Sequence, residues 1–133
     1  MNVEPPPPSW FHVGAIAPPH HNPPGLESHV ASVLAKLLGP KSQAHKIGIF
    51  SPWAEPISHA VTAAADKNRW HSVGYGVDRM GGEAGWIRCW LQIAATSQAL
   101  VVFGPMTESM ELVLGLCKPI RCGARIVDGP PFG

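Results

Sequence analysis

Acidic side chains stand where an apolar strand pattern passes directly into a helical one. The apolar run Ala99–Phe103 ends at Gly104, and Thr107, Glu108 and Glu111 follow at the start of the next helix. Open amides at a helix start attract phosphate or sugar oxygens, and Thr107 is suited to cap them. Glu111, one turn inside, could project a carboxylate toward the same place. Glu108 and Glu111 also suit the first turn of any helix, where the dipole favours negative charge, so a structural interpretation stays open.

Two more segments follow predicted strands. Ser51-Pro52-Trp53 comes after the strand pattern Lys46–Phe50, and the stretch from Asp78 to Glu83 comes after His71–Val77. In an open parallel sheet the ligand crevice lies beyond the carboxyl ends of the strands. We therefore expect these segments to meet the Gly104 segment in one crevice, with Arg79 at its border.

The elements that position these residues alternate along the chain. Helical spacing of apolar residues predicts helices at Leu26–Leu38, Ile57–Lys67, Trp86–Thr96 and Thr107–Leu116. Apolar runs predict strands at Lys46–Phe50, His71–Val77, Ala99–Phe103 and Ile120–Val127. Gly39-Pro40 supplies a stop for the first helix, and Arg79–Gly85 reads as a flexible loop. The alternation predicts an α/β fold, a three-layer sandwich around a parallel sheet of four to five strands with right-handed crossovers.

The N-terminus has a different composition. Residues 1–25 hold eight of the 15 prolines, which remove amide donors and fix φ. We expect a Pro-rich arm over 1–25 that contains no core strand or helix, followed by one α/β domain over 26–133. Trp10, Phe11, Val13 and Ile16 are nevertheless apolar, so the arm should lie on its own domain or on a neighbouring subunit.

Charge and hydropathy exclude some classes of partner. Ten basic and nine acidic side chains leave a net charge of +1, and no Lys/Arg cluster occurs, which argues against nucleic acid as a partner. No apolar stretch is long enough to span a bilayer. We therefore expect a cytoplasmic protein that is neither inserted in a membrane nor secreted. Only 14% of the residues are charged, which favours a homo-oligomer. Trp86 and Trp90 are four residues apart on one helix face, which favours packing in the core or at a subunit interface.

Cysteine and histidine spacing predicts neither a metal site nor a cofactor. Cys89, Cys117 and Cys122 lack zinc-type spacing and fit small buried hydrophobes. His20-His21 lies between proline pairs without a companion ligand at a diagnostic distance, so a solvated loop is the better interpretation.

Short motifs, in order, resemble the nucleoside 2-deoxyribosyltransferase-like family. Ile47-Gly48-Ile49-Phe50-Ser51-Pro52 looks like that family's opening strand and Ser/Gly-Pro loop. The stretch from Ser97 to Phe103, then Thr107 to Leu112 and Gly115 to Ile120, is similar to its later strand, helix and "Gly-Lys-Pro" block. The resemblance spans about residues 46–120 and implies a flavodoxin-like nucleotide-binding domain.

Family members cleave the N-glycosidic bond of nucleosides or nucleotides. The resemblance therefore implies Glu111 as the nucleophile on the anomeric carbon, with a glycosyl-enzyme intermediate. It also implies Ser51 as a hydrogen-bonding residue for sugar or phosphate oxygens, and Trp53 or Tyr75 as stacking residues for the base.

The chain departs from the family pattern where acids are expected. Gln98 and Trp90 stand at two such positions, which removes candidates for proton transfer to the leaving base. Asp78 and Glu83 are possible replacements. Three hypotheses follow: an enzyme of N-glycosidic cleavage or transfer, a non-catalytic module that binds a nucleotide-like ligand or a protein partner, and a structural subunit of a homo-oligomer.

Overall fold

The computed structural model describes residues 10–43, 46–105, 107–117 and 126–128. The strands are β1 Phe11–Ile16, β2 Ile47–Pro52, β3 His71–Tyr75, β4 Ala99–Val102 and β5 Ile126–Asp128. The helices are α1 Leu26–Ser42, α2 Ile57–Asn68, α3 Glu83–Thr96 and α4 Glu108–Cys117, with a 3₁₀ turn at Arg79–Gly81 before α3. The predicted α/β class and parallel sheet are confirmed.

The five strands pair in the order β3-β2-β1-β4-β5, and every pairing is parallel. The chain moves from β1 outward through β2 to β3, and then returns to the other side of β1 as β4. The order of the strands therefore reverses between β1 and β4. At such a switch point the loops after the two strands diverge to opposite faces and leave a crevice at the carboxyl edge of the sheet.

The expectation of an N-terminal arm without a core strand was wrong for residues 11–16. These residues form β1, the central strand, paired with β2 and β4. The prolines flank this segment at Pro8 and Pro18, so every residue of β1 keeps its amide hydrogen and can join a sheet. Val13, Ala15 and Ile16 are fully buried, which gives the apolar residues of the segment the cover that they require.

Two apolar cores lie on opposite faces of the sheet. The first joins α1 and α2 to one face, through residues such as Leu34, Val61 and Phe103. The second joins α3 and α4 to the other face, through Trp90 and Met110 among others. Alternate residues of β1 contribute to each core, with Val13 and Ala15 in the first and Ile16 in the second, as a strand covered on both sides requires.

Two predicted boundaries differ from the structure. Helix α1 runs past the expected stop and includes Pro40 in its last turn, where the hydroxyl of Ser42 donates a hydrogen bond to the Gly39 carbonyl. The segment expected to be a flexible loop is ordered as a 3₁₀ turn and the start of α3. Gly82, at φ 57°, makes the bend between them, and its carbonyl accepts the first hydrogen bonds of the helix.

No helix in the described ranges combines the length and the apolar character needed to cross a bilayer.

Candidate functional site

A pocket of about 330 Å³ lies where the N-termini of α3 and α4 meet the loop after β1. This is the switch-point side of the carboxyl edge of the sheet. Residues from all three segments line it: Pro19, Gly82, Glu83, Trp86, Trp90, Thr107 and Ser109. Its volume suits a small ring system or a sugar.

One face of α3 supplies three of these residues. Glu83, Trp86 and Trp90 are spaced three and four apart, which places them on the same side of a helix. The two indole rings lie 6.0 Å apart with their planes tilted by 48°. The pocket lining therefore includes one carboxylate and two indoles along a single helix, and of the two indoles only that of Trp86 has appreciable exposed surface.

The carboxylate of Glu83 is linked to α4. The hydroxyl of Ser109 donates a short hydrogen bond to Oε2 of Glu83. Ser109 is itself held in the first turn of α4, where the Thr107 hydroxyl accepts a hydrogen bond from the amide of Met110 at 3.2 Å. The predicted cap at Thr107 is thus confirmed, and it fixes the helix start that positions Ser109.

Trp90, a lining residue, has a buried donor. The residue is 1% exposed and packs in the second core, as the core interpretation of this tryptophan predicted. Its indole Nε1 is buried and has no hydrogen-bond partner among the described residues. An unsatisfied buried donor costs about 1–3 kcal/mol. A ligand acceptor that reached this nitrogen would remove that cost.

Asp78 stabilises a turn. Its Oδ1 accepts a hydrogen bond from the Met80 amide at 3.1 Å, and its carbonyl accepts one from Gly81 at 3.1 Å. The residue is exposed and is not part of the pocket lining. Asp78 therefore shapes the turn that leads into α3. The side chain of Arg79, expected beside it at the border of the crevice, lies outside the described residues.

Glu111 lies on another side of α4. It is exposed, as is Glu108, and neither contributes to the pocket lining. At 100° per residue, Ser109 and Glu111 flank the buried Met110 on opposite sides of the helix, so a pocket that contacts Ser109 is turned away from Glu111. The expectation that Glu111 lines a pocket with the crevice residues is not met at this pocket.

Ser51, Pro52, Trp53 and Tyr75 form a separate group at the ends of β2 and β3. Ser51 and Pro52 are buried in β2, and the Trp53 amide donates to the Tyr75 carbonyl at 2.7 Å. The Tyr75 ring stacks on Phe50 at 5.6 Å. None of these residues lines the α3–α4 pocket, since β2 and β3 lie on the far side of β1 from α4.

Gly104 lies close to the loop after β1. It has φ 92°, and a Cβ at this position would lie 2.7 Å from Nε2 of His21. The glycine thus lets the two loops at the switch point pack together. Burial lowers the pKa of His21 below its usual value.

The two departures from the family pattern have different consequences. Gln98 precedes β4 at the amino edge of the sheet, where its Oε1 accepts a hydrogen bond from the His12 amide at 2.8 Å. An acid at position 98 would therefore lie at the edge opposite the pocket. Position 90, by contrast, lies in the pocket lining, and there an indole occupies it.

The sequence interpretation missed Pro19 and Ser109, and for Trp86 and Trp90 it favoured core or interface packing over base stacking. A signal for the tryptophans was present, because Glu83 begins the same helical face. Pro19 could be identified as a lining residue only if β1 was recognised as a strand. Only then is the segment that contains Pro19 the loop after a strand, at the carboxyl edge of the sheet.

A larger cavity of about 690 Å³ lies at the opposite, amino edge of the sheet. Trp10, Trp70 and His71 are among its lining residues, and the Lys46 ammonium lies 5.7 Å from the Trp10 ring centre. Helix C-termini surround it. We favour the smaller pocket because ligands of open parallel sheets bind at the carboxyl edge, where helix N-termini converge.

The described residues contain no group of three or more His, Cys, Asp or Glu side chains that could hold a metal ion. Cys89 is buried, as predicted, and burial raises the pKa of its thiol to about 12.

In comparisons with known proteins, no family model, curated protein or solved structure matches this chain.

Proposed function

We propose that the chain binds a nucleoside or nucleotide in the α3–α4 pocket and cleaves or transfers its N-glycosidic bond, with Glu83 as the nucleophile. The observation that carries the proposal is the position of the Glu83 carboxylate. It lies in a pocket between two helix N-termini and accepts a hydrogen bond from the hydroxyl of Ser109. Two tryptophans follow Glu83 on the same helix face.

Each group in the pocket has a role in this reaction. Glu83 attacks the anomeric carbon, and the resulting glycosyl ester is then released to water or to a second base. Ser109 holds the carboxylate in place and the helix starts at Gly82 and Thr107 bind sugar oxygens. The half-buried indole of Trp86 packs against the base, and the buried indole of Trp90 helps to exclude water.

A non-catalytic binding site is the second candidate function. It is favoured by the presence of a single carboxylate, Glu83, in the described lining, since glycosidic hydrolysis ordinarily uses two. In this case the same pocket holds the ligand without breaking the bond.

The test is release of free base from a panel of nucleosides and nucleotides, followed by chromatography. Glu83→Gln keeps the shape and hydrogen bonding of the side chain but removes the nucleophile, so turnover should fall by several orders of magnitude. Glu27→Gln is the matched control, because Glu27 is also an exposed first-turn glutamate but lies on α1, 3.5 Å from His59.

Glu111→Gln decides between the two carboxylates. We expect its turnover to stay far above that of Glu83→Gln. Loss of turnover in Glu111→Gln with turnover kept in Glu83→Gln would return the nucleophile to Glu111. Thermal stabilisation by a ligand without release of base would support the second candidate.

A further inference from the structure

The α3–α4 pocket is acidic and aromatic. Its described lining contains the Glu83 carboxylate and two indole rings, and it contains no lysine, arginine or histidine. A carboxylate attracts positive charge, and so does the face of an indole ring. The side chains of the described lining therefore favour a cationic group over an anionic one, while the two helix N-termini attract the oxygen atoms of the sugar.

The described lining also holds a nucleophile without a partner acid. For a neutral base, one carboxyl group attacks or stabilises the anomeric carbon while another protonates the leaving group. The face of α3 that presents Glu83 continues with Trp86 and Trp90, neither of which transfers protons. Asp78, Glu108 and Glu111 all lie outside the described lining.

A positively charged leaving group needs no proton donor. If the ring nitrogen already carries a positive charge through its bond to the sugar, the bonding electrons neutralise it when the bond breaks. Two features thus indicate the same kind of substrate: the described lining has no second acid, and its side chains attract cations. An aromatic cation would also pack against the half-buried indole of Trp86.

We infer that the substrate of this site is the N-riboside of a quaternary pyridinium, for which nicotinamide riboside is the simplest probe. The inference rests on the proposed function. A Glu83 oxygen forms a bond to C1′ while the C1′–N bond breaks, and its electron pair returns to the ring as neutral nicotinamide. Water then attacks C1′, which yields ribose, the Glu83 carboxylate and one proton released to solvent.

The buried indole Nε1 of Trp90 adds a preference within this class. It has no hydrogen-bond partner among the described residues, and it lies at a residue that lines the pocket. A carboxamide on the pyridinium ring offers an oxygen that can accept this hydrogen bond. A pyridinium riboside with a carboxamide should therefore bind more tightly than one without it.

The experiment compares release of nicotinamide from nicotinamide riboside with release of base from adenosine, inosine and cytidine by the full chain. We expect kcat/KM for the pyridinium riboside to be at least about tenfold higher, since the missing acid is worth about 10²–10⁴-fold for a neutral base. Glu83→Gln should lose this turnover. Equal or faster cleavage of the neutral nucleosides would overturn the inference and leave the proposed function standing.

Binding provides a second readout that does not depend on turnover. Reduced nicotinamide riboside has almost the same shape but no charge, and nicotinic acid riboside adds a negative charge to the same ring. In titrations, the affinity should decrease from nicotinamide riboside to the reduced form and from the reduced form to nicotinic acid riboside. Equal affinities for the charged and the reduced forms would contradict the inference.

The tryptophans offer a matched pair of variants. Trp86→Leu removes a ring from the pocket and should weaken binding of nicotinamide riboside by about 3- to 30-fold, in line with a desolvated cation–π contact. Trp70→Leu removes a half-buried ring at the opposite edge of the sheet and should leave the affinity unchanged. Equal losses of affinity in both variants would contradict the assignment of the α3–α4 pocket as the binding site. A wild-type chain that neither binds nor cleaves any of these ribosides overturns both the inference and the proposed function.

Discussion

Glu83 and Glu111 are both glutamates in the first turn of a helix, yet their surroundings differ. Both side chains are exposed, but Glu83 has a hydroxyl donor from another helix and lines a pocket, whereas Glu111 lies on the side of α4 turned away from that pocket. A nucleophile must be fixed close to its target, because misplacement by about 1 Å can cost about 10²-fold in rate. Because the two residues are of the same type, their surroundings decide which of them can act as the nucleophile.

Gly85 is predicted to be irreplaceable for packing reasons. A Cβ at this position would overlap the carbonyl oxygen of Asp78, whose backbone cannot move without opening the turn before α3. We expect Gly85→Ala to lower the free energy of unfolding by about 1–3 kcal/mol, as overpacking does. Urea unfolding followed by tryptophan fluorescence measures this change.

The control is Gly115→Ala on α4, where a Cβ meets nothing within 4 Å. There alanine should raise the free energy of unfolding by about 0.5–1 kcal/mol through its higher helix propensity. If both substitutions had the same effect, the close approach of Asp78 to α3 would be wrong.

His21 should make stability depend on pH. Burial lowers its pKa in the folded protein below the ordinary 6.5, so the unfolded chain binds more protons between the two values. Stability is then complete above about pH 6.5 and falls as the pH drops toward the lowered pKa.

Replacement of His21 by glutamine removes this contribution. The urea midpoint of the wild type should therefore fall more than that of His21→Gln between about pH 7.5 and pH 5. His20→Gln, at the exposed neighbouring residue, should keep the wild-type slope. Parallel slopes in all three proteins would show that His21 is not desolvated.

Among the elements, β1 has the largest effect on the architecture. It is the central strand, and its position creates the switch point at which the pocket lies. The proline pairs on either side of it are strong signals for irregular structure, and they masked a short run in which small and apolar residues alternate between the two cores. Without β1, the sequence offers no reason for the loop containing Pro19 to approach α4.

The other elements were more accessible from sequence because their signals are local. Apolar spacing located the four helices to within three residues at their starts, and the Val101-Val102-Phe103 run identified β4. The site was predicted in part: Glu83 and Thr107 are in the pocket, whereas Ser51, Trp53 and Tyr75 belong to another part of the edge. Local patterns show which strand a residue follows, but the lateral order of strands decides which loops meet.

Deletion experiments separate β1 from the proline-rich residues before it. Removal of residues 1–25 takes away the central strand and the fully buried Val13 and Ile16, so the chain should lose its cooperative thermal transition in circular dichroism. Removal of residues 1–9 leaves all of β1 in place and should keep the transition. A chain without residues 1–25 that still unfolded cooperatively would contradict the central position of β1.

At the scale of the whole molecule, the two cores leave few large apolar side chains exposed within the described part of the chain. Trp90 is 1% exposed and serves its own core, so it does not contribute to a sticky surface. Among the described residues, Trp53 is 49%, Leu112 54% and Met80 96% exposed, and these three lie in different parts of the chain. The uncharged composition remains the main argument for self-association.

We still predict a homo-oligomer, because a chain with only 14% charged residues and exposed Trp53 and Leu112 has apolar surface to cover. Light scattering at micromolar concentration should give a mass of at least two 14.2 kDa chains. A mass of one chain would remove this prediction without affecting the pocket, whose described lining comes from a single chain.

The most direct test of Glu83 as the nucleophile is to trap the glycosyl-enzyme intermediate. Fluorine at C2′ of an arabinosyl nucleoside or pyridinium substrate slows breakdown of the intermediate, because it destabilises the oxocarbenium-like transition state. After mixing and quenching, peptide mapping by mass spectrometry should find one fluoroarabinosyl group on the peptide that contains Glu83, and none in Glu83→Gln. An adduct on Glu111, or release of base with no adduct on Glu83, would contradict the account.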